Sequence, residues 1–167
     1  KRMKGNTMRT LFFSDSQYGT DDVKSYLAEI TEMDFTILDD STYDIATIAK
    51  KIAETYAEEE IGLIGMGNGG NIAFQAANIL CETYHKRPHF LVLLGGIPDT
   101  NSDKKLNVPI GVLYGSADNV DAEQIQAWCR HTDCFLGAIQ LSGKSAGLYD
   151  NQEQTIAAIR KHMRNGV

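Results

Sequence analysis

The chain contains short runs of branched and aromatic residues that are bounded by Gly, Asp, Asn or Ser. Runs of this length and composition predict six β-strands. The predicted strands are residues 10–14, 35–38, 61–66, 90–94, 110–114 and 136–141. Because the runs are almost continuously apolar, we expect the sheet to be buried on both faces.

Between the predicted strands, apolar residues recur at steps of three and four, which predicts five amphipathic helices. Their apolar stripes start near residues 23, 45, 70, 122 and 156. Strands that alternate with helices pair in parallel, because each crossover helix returns the chain to the end of the sheet at which the previous strand began. The pattern therefore predicts an α/β fold, a three-layer sandwich with about six mostly parallel strands.

The length of 167 residues is typical of a single domain. We expect a flexible lead at residues 1–8 and one folded domain at residues 9–167. The net charge of −6 disfavours a nucleic-acid partner. No apolar run approaches the roughly 18 residues that span a bilayer, so we expect no membrane association.

The three cysteines, Cys81, Cys129 and Cys134, are an odd set without C-x-x-C spacing. This pattern predicts neither a disulfide framework nor a metal site, and it favours a cytoplasmic protein. Cys81 and Cys129 adjoin apolar residues, and we expect both in the core. We expect the four histidines to cap helix ends or face solvent, since they lie near predicted element ends. They are His85, His89, His131 and His162.

The most informative segment is residues 61–74, where a predicted strand passes through a glycine turn directly into a helix. Read as G-x-G-x-x-G, Gly65, Gly67 and Gly70 match the dinucleotide-binding fingerprint. That fingerprint predicts an acidic residue at the end of the next strand, where this chain has two glycines. The dinucleotide-binding fingerprint also normally follows the first strand of its domain, whereas two β/α units precede this turn. Glycines also suit such turns on steric grounds alone, so a dinucleotide-binding Rossmann-type domain is an alternative rather than our first hypothesis.

Read as G-x-S-x-G, the same turn aligns with the nucleophile elbow of α/β-hydrolases, and Gly67 occupies the serine position. Six further segments match the surroundings of that elbow, from the first core strand and its oxyanion loop to the histidine loop. They are residues 11–19, 47–56, 72–80, 88–98, 109–118 and 141–148. With these segments, roughly residues 9–163 resemble the thioesterase domains that end nonribosomal peptide and polyketide synthetases.

This resemblance implies the α/β-hydrolase fold and the positions of a catalytic triad. The nucleophile position is Gly67, the acid is Asp118, and the base position is Ser145. The residues that resemble the oxyanion loop and its elbow partner are Asp15, Ser16 and Asn68. The family inserts a helical lid after the fourth core strand, but residues 98–108 are too few to hold one. The resemblance thus implies a lidless domain that also lacks the first strands of larger hydrolases.

Acyl transfer in this family needs a serine alkoxide and an imidazole that accepts its proton. Gly67 provides no oxygen, and the Ser145 hydroxyl is no base near neutral pH. We therefore predict a non-catalytic binding or scaffolding domain of a nonribosomal peptide or polyketide assembly line, with no cofactor. The expected partner is an acyl or peptidyl carrier protein with its phosphopantetheine arm, or a neighbouring synthetase domain. We expect docking near residues 14–19, Asn68 and residues 98–105.

A second alternative keeps catalysis in the same cleft without an acyl-enzyme. Asp118, Ser16 or Ser145 would orient a water or a substrate group for hydrolysis or cyclisation of a thioester. Backbone donors near Asn68 would stabilise the developing charge.

Overall fold

A computed structural model describes the protein at residues 8–14, 20–27, 35–38, 44–99, 103–145 and 148–166. Strands and α-helices alternate along these residues, except that β5 follows β4 without an intervening α-helix. The strands are β1 (Met8–Phe13), β2 (Phe35–Leu38), β3 (Glu60–Met66), β4 (Leu91–Leu94), β5 (Ile110–Gly115) and β6 (Phe135–Leu141). The α-helices are α1 (Thr20–Tyr26), α2 (Ile45–Thr55), α3 (Asn68–Glu82), α4 (Ala122–Gln126) and α5 (Gln152–Gly166), and a 3₁₀ helix (Ala127–His131) follows α4.

The six strands form one sheet in the order β2-β1-β3-β4-β5-β6, and every neighbouring pair is parallel. The predicted α/β class is confirmed. A dinucleotide-binding domain has the order 3-2-1-4-5-6 and carries its glycine turn after the first strand. In this sheet the glycine turn follows β3, so the Rossmann-type alternative is wrong.

Two apolar clusters cover the two faces of the sheet. One contains residues of α2, α3 and the 3₁₀ helix, and the other contains residues of α5 and the end of α1. Leu63 and Ile64 are neighbours on β3 and fully buried, yet they pack into opposite clusters. Burial of such a side chain stabilises the fold by about 2 kcal/mol. The nearly continuous apolar runs of the sequence thus reflect burial on both faces.

Side-chain burial differs from the sequence prediction at three positions. His131 and His162 are only 8% and 1% exposed, so the surface or capping role predicted for them is wrong. His162 belongs to the apolar stripe of α5 with Ile159, which turns its ring towards the sheet. Cys129 is exposed rather than in the core, because the inward position of the 3₁₀ helix is taken by its neighbour Trp128.

The connection from β4 to β5 holds no helix at residues 95–99 and 103–109, the part that the structure describes. This agrees with a fold without a helical lid. β1 starts at Met8, inside the predicted lead, and residues 1–7 lie outside the described residues. In the part of the chain that the structure covers, no helix is long and apolar enough to cross a bilayer.

β6 is an outer strand of the sheet, and its sequence FLGAIQL contains no charged residue. Its pairing with β5 shifts register, because Ile110 pairs with Phe135 but Gly111 pairs with Gly137. The extra residue produces a bulge. Gly137 has a φ of 100°, a left-handed conformation that glycine adopts without strain.

Candidate functional site

The turn between β3 and α3 has the backbone of a nucleophile elbow. Gly67 follows the strand directly, and α3 begins at the next residue. The φ and ψ of Gly67 are 54° and −125°, a combination that side chains rarely tolerate. A nucleophile elbow imposes such strain on its serine. The bend is therefore present without the side chain that would give it chemistry.

The two outer glycines of the motif are required by close backbone packing. A Cβ atom on Gly65 would lie 2.5 Å from the Cα of Gly70. A Cβ atom on Gly69 would lie 2.3 Å from the carbonyl oxygen of Phe13. The first turn of α3 thus packs against the end of β1, and both positions demand glycine irrespective of any ligand.

A second pair of glycines follows β4 and lies between the elbow and the base position. Gly95 and Gly96 have φ values of 73° and 79°. A Cβ on Gly95 would lie 2.5 Å from Ser145 Oγ, and one on Gly96 would lie 2.8 Å from the carbonyl oxygen of Gly67. The Gly67 amide donates to the Leu94 carbonyl oxygen at 3.0 Å. The end of β4 thus brings positions 67 and 145 close together.

Asp118 lies in the turn after β5, and both of its carboxylate oxygens accept hydrogen bonds from the chain itself. Oδ2 accepts a hydrogen bond from the Gly115 amide at 2.7 Å. Oδ1 accepts from the Ser145 amide at 2.9 Å, and the Ser145 hydroxyl donates to Oδ2. Ser145 is 8% exposed. Asp118 therefore contacts the base position as predicted, but its partner there is a hydroxyl and an amide.

Tyr149 completes this network and was not predicted from the sequence. Its hydroxyl donates to the Leu113 carbonyl oxygen at 3.2 Å and lies 3.2 Å from Ser145 Oγ. Tyr149 is buried, with a φ of 57°. This left-handed conformation turns its ring under the loop between β6 and α5. The only sequence signal is a tyrosine four residues after the base position.

The structure brings Gly67, Asp118 and Ser145 together at the carboxyl ends of the strands, in the chain order of a hydrolase triad. Asn68, predicted beside the elbow, is exposed at the first position of α3. The other two predicted oxyanion residues, Asp15 and Ser16, lie outside the described residues. The three triad positions hold an acid but neither an activated nucleophile nor an imidazole.

No protein-family model and no curated protein sequence matches the chain. Solved structures do match it. The RedJ thioesterase from the prodiginine biosynthetic pathway of Streptomyces coelicolor superposes with a TM-score of 0.76 at 13% identity, over 95% of this chain and 90% of RedJ. ClbQ from the colibactin NRPS/PKS pathway gives 0.76 at 13% identity, over 96% of this chain and 98% of ClbQ. The fold is the α/β-hydrolase fold of thioesterases.

Human thioesterase 2 shares this α/β-hydrolase fold with a TM-score of 0.76 at 14% identity, over 96% of this chain and 97% of that protein. Identity this low defines the architecture and leaves the chemistry to the residues at the site. Within the α/β-hydrolase fold, the turn after β3 is the nucleophile elbow, and the residue at its bend in this chain is Gly67.

Proposed function

We propose that this chain is a thioesterase-like domain that binds carrier-borne acyl or peptidyl thioesters and does not cleave them. One observation carries the proposal. Asp118, the acid of the triad, is bound by the amide and hydroxyl of Ser145, where a hydrolase needs an imidazole. A carboxylate bound in this way stabilises its loop. It cannot perform the usual task of the triad acid, which is to orient the imidazole ring of a histidine.

The covalent route fails at two steps. Acyl transfer forms a bond from a side-chain oxygen to the thioester carbon while the carbon–sulfur bond breaks, and a base takes the proton. Gly67 has no oxygen for the first step, and Ser145 cannot accept the proton. Loss of the nucleophile or base of a serine triad lowers the rate by about 10⁶-fold, and loss of both adds little.

The position of the elbow in the fold and the related structures both favour binding of a thioester ligand at this site. The positive end of the α3 dipole lies at Asn68, where it favours a polar or anionic group. Ligands of open α/β sheets bind at the carboxyl ends of the strands, which is where this turn lies. RedJ and ClbQ come from biosynthetic pathways. By analogy with them, we propose a carrier protein with a phosphopantetheine arm, or an adjoining synthetase domain, as the partner.

The hydrogen bonds of Asp118 also disfavour a non-covalent reaction in the same cleft. To orient a water, this carboxylate needs an unoccupied acceptor position that faces the substrate. Hydrogen bonds from Gly115 and Ser145 already occupy three of its roughly four acceptor positions. We therefore prefer binding without turnover.

The proposal is tested with S-octanoyl-pantetheine, which carries the thioester and the arm without a carrier. We expect millimolar probe to shift the amide resonances of Asn68 and Gly96 in ¹⁵N spectra. We expect the thioester to remain intact in mass spectra, with no acyl adduct on the protein. An adduct, or hydrolysis well above the spontaneous rate, would contradict the loss of catalysis.

Matched tryptophan variants test the location of binding. Asn68→Trp places a bulky ring on the exposed first residue of α3 and should abolish the probe-induced shifts. Glu58→Trp is equally exposed but precedes β3, at the opposite end of that strand. It should bind the probe as the unmodified protein does. Equal effects of the two variants, or no shifts with the unmodified protein, would contradict binding at the elbow.

A further inference from the structure

A separate concavity of about 270 Å³, which we call the aromatic pocket, lies between α3, the segment after β4 and the 3₁₀ helix. None of the three triad positions lines it. Its lining residues are Asn71, Phe74, Gln75, Pro98, Asp99, Trp128 and His131.

Hydrogen bonds hold the walls of the aromatic pocket in place. The Asn71 side-chain amide donates to the Ile97 carbonyl oxygen at 3.0 Å, and its Oδ1 accepts from the Asp99 amide at 2.9 Å. Trp128 Nε1 donates to the Gly96 carbonyl oxygen at 3.3 Å. These bonds tie all three elements together, so the pocket is preformed and binding requires little reorganisation.

Three rings form the apolar wall of the pocket. The ring centroid of Phe74 lies 5.8 Å from that of Trp128 and 5.3 Å from that of His131. The Trp128 and His131 centroids are 5.8 Å apart, with their planes inclined by 66°. These are favourable tilted or edge-to-face arrangements. They fix the orientation of the His131 ring within the wall.

His131 has an unused hydrogen-bonding position. Its Nδ1 lies 2.9 Å from the Lys104 carbonyl oxygen. Because a carbonyl oxygen only accepts, Nδ1 carries the proton, and Nε2 of the neutral ring is an acceptor. Nε2 has no hydrogen-bond partner among the residues that the structure describes, although the residue is only 8% exposed. The pocket therefore offers Nε2 as an acceptor to a ligand that carries a donor.

The second acceptor at the pocket is the exposed Asp99 carboxylate, which adds a negative charge at the rim. Acceptors beside an aromatic wall suit a planar cation, which donates along its edge and lies against the small ring surface that Phe74 and His131 leave open. We propose that the aromatic pocket binds a guanidinium or amidinium group. The group can belong to a free small molecule or to an arginine side chain of a peptide. The pocket adjoins the proposed docking surface at Pro98 and Asp99 but contains none of Gly67, Asp118 and Ser145, so cation binding and thioester binding are measured with separate probes.

The first test uses benzamidine and benzamide, which have the same shape but differ in charge. We expect benzamidine to shift the resonances of Gln75, Asp99 and His131 with a dissociation constant of about 1 mM, typical of a fragment. Benzamide should bind about tenfold more weakly. Equal affinities would mean that the pocket takes only the apolar ring. Shifts confined to other residues, or no shifts, would overturn the proposal as well.

Charge-matched variants test the role of Asp99. Asp99→Asn should weaken benzamidine binding about fivefold, because it removes the charge from the hydrogen bond and keeps the shape. Glu123→Gln removes an exposed carboxylate from the neighbouring surface and should change the affinity less than about twofold. Equal effects of the two variants would indicate general attraction to an acidic chain, and the site would be wrong.

His131→Phe keeps the ring wall but removes Nε2, and we expect it to weaken benzamidine binding as well. Its thermal midpoint should be recorded, because the variant also loses the bond to Lys104. Agmatine represents a free small molecule, and the peptide Gly-Arg-Gly represents an arginine side chain. The probe with the lower dissociation constant identifies which kind of ligand the pocket prefers. Butylamine carries an ammonium group instead of a planar guanidinium group. If it binds as tightly as agmatine, the proposal that the pocket selects a planar cation is wrong.

Discussion

Gly67 has the strained backbone conformation in which an α/β-hydrolase holds its nucleophile. In a non-glycine residue, such a conformation costs about 1–3 kcal/mol, and an enzyme tolerates the cost because the hydroxyl is needed there. Glycine adopts the same bend without that cost. Glycine at this position therefore avoids the strain that any side chain would bring.

Gly67→Ser should lower the free energy of unfolding by about 1–3 kcal/mol through this strain. It should not produce hydrolysis of an N-acetylcysteamine thioester, since Ser145 is no base. Urea unfolding and a thiol-release assay measure the two effects. Gly67→Ala is the matched control, because it adds the strain without the hydroxyl. Turnover by Gly67→Ser alone would contradict our assignment of the site.

Asp118→Asn should destabilise the protein by about 1–3 kcal/mol, because an amide group would face a donor from Gly115 or Ser145. The urea midpoint should fall while the slope of the transition stays the same. Asp133→Asn removes an exposed carboxylate with one ion pair, at 3.4 Å to Lys105, and should cost less than about 1 kcal/mol. Similar losses in the two variants would mean that Asp118 does not stabilise its loop.

At this scale, motif spacing led to the proposed triad positions, and the structure places two of them, Asp118 and Ser145, in contact. Gly67 and Asp118 each follow a strand that is recognisable from its apolar run, and the hydrolase order then leads to Ser145. Tyr149 could not be predicted, because its role depends on the left-handed turn at Leu148 and Tyr149. Neither residue is a glycine, so the sequence gives no sign of that turn.

Among the elements, α3 decides the shape of the site. Its first turn packs against the end of β1 at Gly69, and its N-terminus defines the elbow. The bounds of the strands were predictable to within about two residues, because most of them are continuous apolar runs, as in β3, β4 and β5, which are buried on both faces. The burial of His131 and His162 was not, since polar residues on a helix stripe are ambiguous until the phase of the helix is known.

Two alanine variants in the first turn of α3 test this packing. Gly69→Ala places a methyl group 2.3 Å from the Phe13 carbonyl oxygen and should cost more than about 2 kcal/mol. Gly70→Ala meets only the tip of the Leu93 side chain, at 3.0 Å, which can move. The higher helix propensity of alanine, about 1 kcal/mol, should offset that contact. Thermal unfolding should therefore distinguish the variants, and equal midpoints would refute the close contact.

The packing of α5 on β5 should make stability depend on pH. Burial lowers the pKa of His162, although its bond to the Val112 carbonyl oxygen acts in the opposite direction. The unfolded chain therefore takes up this proton at higher pH, near 6.5. The contribution of His162 is complete above that pH and is lost as the pH falls towards its lower value in the folded state.

His162→Phe should flatten this dependence, since the buried ring then has no titrating group. Urea unfolding at about pH 7.5 and about pH 5.5 measures the difference between the two proteins. His85→Phe is the control, because His85 is exposed, and it should keep the original slope. An unchanged slope in His162→Phe would assign the dependence to another group.

For the whole molecule, the order of the strands decides between two interpretations of one glycine turn. The local sequence fits both a dinucleotide fingerprint and a nucleophile elbow. The missing acidic residue after the next strand disfavours the fingerprint, and the strand order of the sheet, with the turn after β3, excludes a Rossmann-type arrangement. Local spacing contains no information about strand order, so the sequence alone had to leave this alternative open.

A dinucleotide should therefore not stabilise the protein. Millimolar NAD should leave the thermal midpoint unchanged, because a ligand that does not bind the folded state cannot shift it. S-octanoyl-pantetheine provides the positive comparison in the same experiment. A reproducible rise in the midpoint with NAD would reopen the nucleotide-binding interpretation.

The bulge at Gly137 also matters when many copies of the molecule meet. A straight outer strand without charges is a template on which another chain can add its own strand and begin to aggregate. β6 has no lysine or glutamate to discourage this. The bulge at Gly137 protects β6 in place of charged side chains, because it interrupts the row of unpaired amides that a growing fibre would need.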